Sequence, residues 1–273
     1  MKIIKCFIAV TTVILLSSCN NNEDYSDEKN VKENIVLNIT AKQWGDDAIT
    51  RTSYSAVSEG SSGNKTFSVS FTSGDAIGLY ACDNTGKVVV ANQKYTYNGS
   101  SWSTDSPIEY VKGLANYTFF AYYPWVSTMT GAPTVNATPV LTSADSFFAD
   151  AITSWTPAAD QSDITKFTSQ DLMVAKGTNS TPYFHEVQVS FTMKHKMGLL
   201  VTKSSLDYYD IDNPSDTWSE TQTFSTNIPY NNNGYCYFFA KPNVSTTLGS
   251  KTATVASGQM EQLYFTNGEP SHR

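Results

Sequence analysis

Apolar and polar residues alternate with a period of two along most of this chain, the pattern of strands with one buried and one wet face. Ile35, Leu37 and Ile39 share a face, with Asn34, Asn38 and Thr40 between them. Phe67, Val69 and Phe71 repeat the pattern and stop at Ser73-Gly74-Asp75. Ile77 to Cys82 predicts the next strand, and Asp83-Asn84-Thr85-Gly86 turns it back into Lys87–Ala91. Tyr95-Thr96-Tyr97, Asn98-Gly99 and Trp102 have the strand–turn–strand layout of a hairpin. An aromatic strand, Tyr117 to Tyr123, ends at Pro124.

Residues 126–182 are looser, broken by Pro133, Pro139, Pro157 and Pro182. They predict long connections with a short helix or two. The alternation then resumes: Val187, Val189, Phe191 and Met193 share a face, Lys194-His195-Lys196 interrupts, and Met197, Leu199 and Val201 follow. Tyr235 to Ala240 stops before Pro242, and Leu263-Tyr264-Phe265 is a weak last strand. Many short strands with frequent turn signals predict an all-β fold of sandwiches. We read two, an N-terminal one over 34–180 and a short C-terminal one over 181–273.

The start of the chain is different. Lys2 and Lys5 precede an apolar run from Phe7 to Leu16, too short for a permanent membrane span and laid out as a secretory leader. The run ends in Leu16-Ser17-Ser18-Cys19, which resembles the bacterial lipobox. It implies removal of residues 1–18 and a lipid on Cys19; an ordinary leader followed by a chance cysteine is the alternative. Acyl chains would anchor the protein at about 0.8 kcal/mol per buried CH₂. Residues 19–33 are polar and acidic with no apolar face, and read as a disordered tether. Such a patch behind the cysteine resembles a surface-export signal of Bacteroidota lipoproteins, and equally reads as a plain solvated linker.

Composition narrows the partners. The formal net charge is −7, and loss of Lys2 and Lys5 would make the mature chain more acidic. That argues against nucleic acid and against electrostatic docking on anionic lipid. Behind Cys6 and Cys19, only Cys82 and Cys236 remain, too few for a disulfide framework. They read as two small buried hydrophobes, with a single bridge between them as the other reading.

Catalytic chemistry does not assemble. The three histidines, His185, His195 and His272, show no HExxH or HxH spacing, and no CxxC, GxSxG or phosphate-binding loop occurs. A lone strand histidine is usually a packed or surface residue. We therefore expect no enzyme and no cofactor. Asp210-Ile211-Asp212-Asn213-Pro214-Ser215-Asp216 alternates acids as a calcium loop does. Pro214, however, takes a ligand position and the turn glycine is missing, so a solvated loop is the expectation. Trp102, Trp125, Trp155 and Trp218 could stack on sugars if exposed, although burial in a core is expected for each.

Arginine is scarce: besides the terminal Arg273, Arg51 stands alone, in Ala48-Ile49-Thr50-Arg51-Thr52. A cut there would release the lipid, the tether and the Ile35/Leu37/Ile39 strand together. Unpaired N–H and C=O groups above apolar side chains would remain, a groove that a strand of another subunit can fill. A surface arginine that is never cut is the competing reading.

Several motifs in order resemble the fimbrillin family of Bacteroidota: Phe71-Thr72-Ser73-Gly74-Asp75-Ala76-Ile77-Gly78-Leu79-Tyr80, Tyr97-Asn98-Gly99 with Trp102, and Tyr117 to Pro124. Asp171 to Ala175, paired with Val189 to Met197, continues the likeness, which covers roughly residues 30–245. It implies two transthyretin-like Greek-key sandwiches and export as an outer-membrane, cell-surface lipoprotein. In polymerising members it also implies trimming after an arginine, matched here by Arg51, and donor-strand assembly with other fimbrial subunits. The short second unit and polar tail favour an accessory, tip or anchor subunit over a stalk subunit, or else a chain missing its end. A host or glycan ligand is a further implied partner. The alternative is a monomeric surface lipoprotein that binds glycans or nutrients.

Overall fold

The computed structural model describes residues 34–42, 58–59, 65–66, 69–108, 116–183, 186–263 and 269–271. In chain order the strands are β1 (Asn34–Ala41), β2 (Ser58–Glu59), β3 (Lys65–Thr66), β4 (Ala76–Cys82), β5 (Val88–Tyr97), β6 (Trp102–Ser103) and β7 (Thr118–Tyr123). Three short helices follow, α1 (Ala144–Phe147), α2 (Ala149–Ser154) and α3 (Ile164–Thr168). Then come β8 (Met173–Lys176), β9 (Thr178–Tyr183), β10 (Glu186–His195), β11 (Gly198–Lys203), β12 (Ser205–Asp210) and β13 (Thr217–Thr221). The last are β14 (Tyr230–Asn232), β15 (Tyr235–Ala240), β16 (Thr246–Leu248), β17 (Lys251–Ala253), β18 (Met260–Leu263) and β19 (Glu269–Ser271). The fold is all-β with sandwich-like sheets, as the alternation predicts.

The largest sheet runs β1-β10-β8-β7-β4-β5-β6, with β9 also paired to β10. β4 and β7 are buried almost throughout, because both of their faces are covered. On one face Tyr80, Phe120 and Tyr122 meet Phe147 and Phe148 of the α1–α2 segment; the Phe120 and Phe147 rings stack at 4.0 Å. Ser143 caps α1 by accepting from the Ser146 amide, and the Asp163 carboxylate does the same for α3 from Lys166.

On the other face, β9, β10 and β1 fold over the sheet. β8 and β9 form one arm broken at Gly177, where Val189, Phe191 and Phe119 converge; a Cβ on residue 177 would lie 2.6 Å from Val189 Cγ1. Glycine is required there for close approach, not for backbone freedom. Residue 180, where the sequence reading divides the chain, lies inside β9 and pairs with Gln188. The sheet and the main core continue across it: Val189 and Phe191, then Leu199, Val201, Tyr237 and Phe239, belong to the same apolar cluster as Leu79 and Phe119.

β11 sits between β15 and β18 in a second sheet, β14-β15-β11-β18. Leu199 and Val201 face the main core, while Leu200 joins Phe238, Leu248 and Val255 in a smaller one. A strand serving two cores reads as a continuous apolar run, which is why Gly198 to Val201 is buried throughout. The flank of β15 beyond β14 is closed by a side chain. Gln161, fully buried, donates from Nε2 to the Phe239 carbonyl at 2.9 Å and accepts from the Phe239 amide at 2.9 Å. β12, β13 and β19 form a third small sheet.

Several local expectations change. Val69 to Thr72 carries no strand pairing, since the Asp75 carboxylate takes the Thr72 amide at 2.6 Å and bends the chain into a turn. Cys82 and Cys236, by contrast, are the two buried free thiols that the sequence leads one to expect, and burial pushes both up to about 11. Of the five tryptophans, Trp44 lies outside the described residues and none of the other four is fully buried. Trp102, Trp125 and Trp155 lie half-buried at the rim of the core, and Trp218 stacks on Tyr208 at 5.6 Å across the β12–β13 ladder. Their size and their N–H groups place them at an edge, where Trp125 and Trp155 donate to the carbonyls of Asn92 and Gln170.

Candidate functional site

β10 supplies the floor of the site. Its residues alternate strictly: Val187, Val189, Phe191 and Met193 are buried, while Ser190, Thr192 and Lys194 are exposed. β1 lies beside it in parallel, with Ile35 opposite Val187, Leu37 opposite Val189 and Ile39 opposite Phe191. Leu37 is 7% exposed and Ile35 and Ile39 are packed against the main core, whereas Val36 on the outer face is 43% exposed. The three apolar residues singled out from the sequence thus lie together on the inward face of one strand. Among the described residues β1 ends the sheet path, so there it is an edge strand. Its partner is far away in the chain: the Thr40 hydroxyl reaches the Phe191 carbonyl across 151 positions.

The strand is held hardest where it ends. The Lys42 amide donates to the Met193 carbonyl at 2.8 Å. The next inward residue of β10, His195, turns its ring to the same place. Its Nε2 lies 2.6 Å from the Lys42 carbonyl and its Nδ1 2.7 Å from Asp171 Oδ1. Both side chains are buried, His195 at 2% and Asp171 at 0% exposure. Asp171 is set by the turn after α3, where its amide donates to the Thr168 carbonyl. Behind Asp171 lies Tyr123, whose phenol is pushed well above the ordinary tyrosine range by burial first and by the charges of Asp75 and Asp171 next.

Sequence reasoning treated His195 as an interruption. The period-two series Val187, Val189, Phe191, Met193 carried on by one step marks it as inward-facing, and that was the available signal. A catalytic part for His195 is disfavoured by its geometry: one ring nitrogen is engaged by a carboxylate and the other by a backbone carbonyl, leaving none to accept a proton from a nucleophile. Among the described residues no group of three or more His, Cys, Asp or Glu stands close enough to hold a metal. The Asp210–Asp216 segment is a tight turn in which Asp210 Oδ1 accepts the Asp212 amide at 2.8 Å. Cys19, Arg51 and His185 lie outside the described residues.

A cleft of about 450 Å³ opens beside Asp75, Tyr123, Thr168 and Tyr230. Its carboxylate is already engaged, accepting from the Thr72 amide at 2.6 Å and the Tyr123 hydroxyl at 3.1 Å. Among the described residues no helix is long and apolar enough to cross a membrane.

The family profile described as Fimbrillin-like matches residues 50–218. A curated Bacteroides ovatus protein named as a fimbrium tip subunit, Fim1C, is 34% identical over 200 residues, covering 72% of this chain and 34% of that protein. Among solved structures, a fimbrial protein from Bacteroides ovatus aligns with a TM-score of 0.58 at 25% identity, over 89% of this chain and 50% of that one. A cell adhesion protein from Bacteroides uniformis aligns with a TM-score of 0.40 at 18% identity, over 80% of this chain and 78% of that one. The chain therefore spans about a third of the length of the curated relative and half that of the first solved structure. A profile match over most of the described sheets and a close relative agree with the motif order from Phe71 to Met197: the chain belongs to the fimbrillin-like family.

Proposed function

We propose that this protein is a non-catalytic subunit of a cell-surface fimbrium, in an accessory, tip or anchor position. It is carried to the outer membrane by a lipid on Cys19 and made competent for assembly by a cut after Arg51. The cut frees β1 from the body to which only pairing and packing then hold it, and a strand of another subunit replaces it along β10.

The single observation that carries the reading is the status of β1: an edge strand, paired to a sequence-distant β10, with Ile35, Leu37 and Ile39 inserted in the core and Arg51 following in the chain. The tip-subunit name of the relative supports the position in the fimbrium. Magnitudes favour replacement over simple loss. Burying each such side chain is worth roughly 1.5–3 kcal/mol, and a domain has only about 5–15 kcal/mol in all. An empty groove would leave the subunit close to unfolding, so a substitute strand is strongly bound.

The test is strand exchange. The protein is cut with an arginine-specific protease and offered a fluorescent peptide spanning residues 34–42. Uptake into the cut protein but not the intact one, with SDS-resistant ladders that vanish in Arg51→Ala, is the expected result. A cut protein that keeps its own β1 and takes up no peptide sinks the proposal. The glycan- or nutrient-binding alternative draws little support from the cleft, because Asp75 and Tyr123 satisfy one another there.

A further inference from the structure

We infer that His195 and Asp171 form a proton-held latch on the carbonyl end of β1, and that any extended chain taking β1's place must offer this latch a carbonyl at the position of Lys42. The inference rests on the reading of β1 as an exchangeable strand for its consequence, but the latch itself is a property of the lone subunit.

The donor and acceptor capacity of each atom fixes where the protons lie. A backbone carbonyl only accepts, so at 2.6 Å the His195 Nε2 must carry a hydrogen and donate it to Lys42. The other nitrogen, Nδ1, is 2.7 Å from Asp171 Oδ1, so a second proton lies between these two atoms. Whether that proton sits on the ring or on the carboxyl, the pair holds two protons while the latch is closed. Remove one, and the remaining proton goes to the side of the stronger acceptor, the Asp171 carboxylate. The tautomer then flips: Nδ1 carries the hydrogen, and the Nε2 lone pair faces the Lys42 carbonyl. The hydrogen bond to β1 becomes a repulsion. The latch is therefore closed at lower pH and opens as pH rises.

Other charged groups bear on the pair. Tyr123 and, through it, Asp75 lie on the Asp171 side. Lys194 and Lys196 flank His195 in the chain; Lys196 is turned away to Asp145 at 2.6 Å. Lys42 itself supplies the carbonyl. The position-42 residue is gripped at both backbone groups, its amide by Met193 and its carbonyl by His195. A donor strand with proline there would lose the first of these bonds.

The experiment uses the intact, uncut protein without any partner, so its outcome is independent of whether fimbriae assemble. Amide hydrogen exchange of residues 35–42 is measured against pH and corrected for intrinsic rates, with β4 and β7 as internal references. In the wild type the protection of 35–42 should fall roughly tenfold to a hundredfold as the pair loses its proton, the range expected for a charge-assisted hydrogen bond. His195→Ala should show the low value at every pH. Asp171→Asn is decisive: its amide can donate to Nδ1 of a neutral ring, which fixes the hydrogen on Nε2 and keeps the latch closed without a titrating proton. Protection in that variant should be high and flat with pH. Should His195→Ala fail to fold, the Asp171→Asn comparison alone decides. Wild type and Asp171→Asn falling together with pH, or protection of 35–42 indifferent to residue 195, would overturn the latch.

Discussion

Gly78 and Tyr122 are register partners across the β4–β7 ladder, and the Tyr122 ring occupies the space where a Cβ on residue 78 would stand. The same Cβ would lie 2.6 Å from Asn92 Oδ1. The tyrosine hydroxyl meets that Oδ1 at 2.7 Å, while Asn92 Nδ2 donates to the Val126 carbonyl at 2.9 Å. Asn92 itself sits in the left-handed region with φ 54°, at a register shift of β5. The empty side of Gly78 is what admits the ring and lets this buried polar group be satisfied.

Gly78→Ala should therefore act as overpacking plus a broken hydrogen-bond set. A loss of about 1–3 kcal/mol or more is expected. Urea denaturation should show a lower midpoint with an unchanged slope. Gly74→Ala makes a useful contrast, since a Cβ there meets nothing within 4 Å and only its φ of 101° resists.

Gln161 imitates a strand at Phe239, so its removal leaves a buried amide and a buried carbonyl without their partner. Gln161→Leu keeps the volume and loses both bonds. Each unsatisfied group costs roughly 1–3 kcal/mol. Chemical denaturation should show a loss larger than for Lys166→Ala, which removes exposed contacts alone, to Asp160 at 2.7 Å, Asp163 at 3.6 Å and Ser162 Oγ at 3.2 Å.

Leu37 and Val36 are neighbours on β1 with opposite exposures, which separates packing from strand propensity. Leu37→Ala should cost about 2–5 kcal/mol and raise hydrogen exchange along β1. Val36→Ala should change stability by about 0.5 kcal/mol or less. Equal effects at the two positions would mean that β1 is held by its backbone alone.

Alkaline pH should unfold the protein through its buried phenols. Burial pushes Tyr95 and Tyr122 up to about 12, so the fold retains protons that the unfolded chain releases near pH 10. Stability is full below about pH 10 and falls as pH climbs toward the folded values, because there the unfolded state binds fewer protons. Absorbance of tyrosinate should rise in step with loss of near-UV circular dichroism. Cys82 and Cys236 should be alkylated only on unfolding, as mapped by mass spectrometry.

The strands carrying one buried face were legible residue by residue: β1 through Ile35, Leu37 and Ile39, and β10 through Val187 to Met193. Local chemistry hid others. Val69 and Phe71 alternate like a strand, but Asp75 withdraws the Thr72 amide from any ladder. The need for glycine at 177 lies in Val189 and Phe119, remote in sequence. Prolines and loose composition mark a division near residue 180 in the sequence; the pairing of Ser180 with Gln188 is a long-range matter that periodicity cannot report. His195 stands alone in the sequence, with no other chemistry-bearing residue at a telling spacing. Its partners, Asp171 and the Lys42 carbonyl, are 24 and 153 positions away.

The parallel rung between β1 and β10 also sets an order of events during synthesis. The segment made first has no neighbour to join until residues 186–193 exist, so it waits while everything between them is built. Closing so long a loop costs entropy before its contacts repay it, so β1 joins β10 after the local hairpins between them can form.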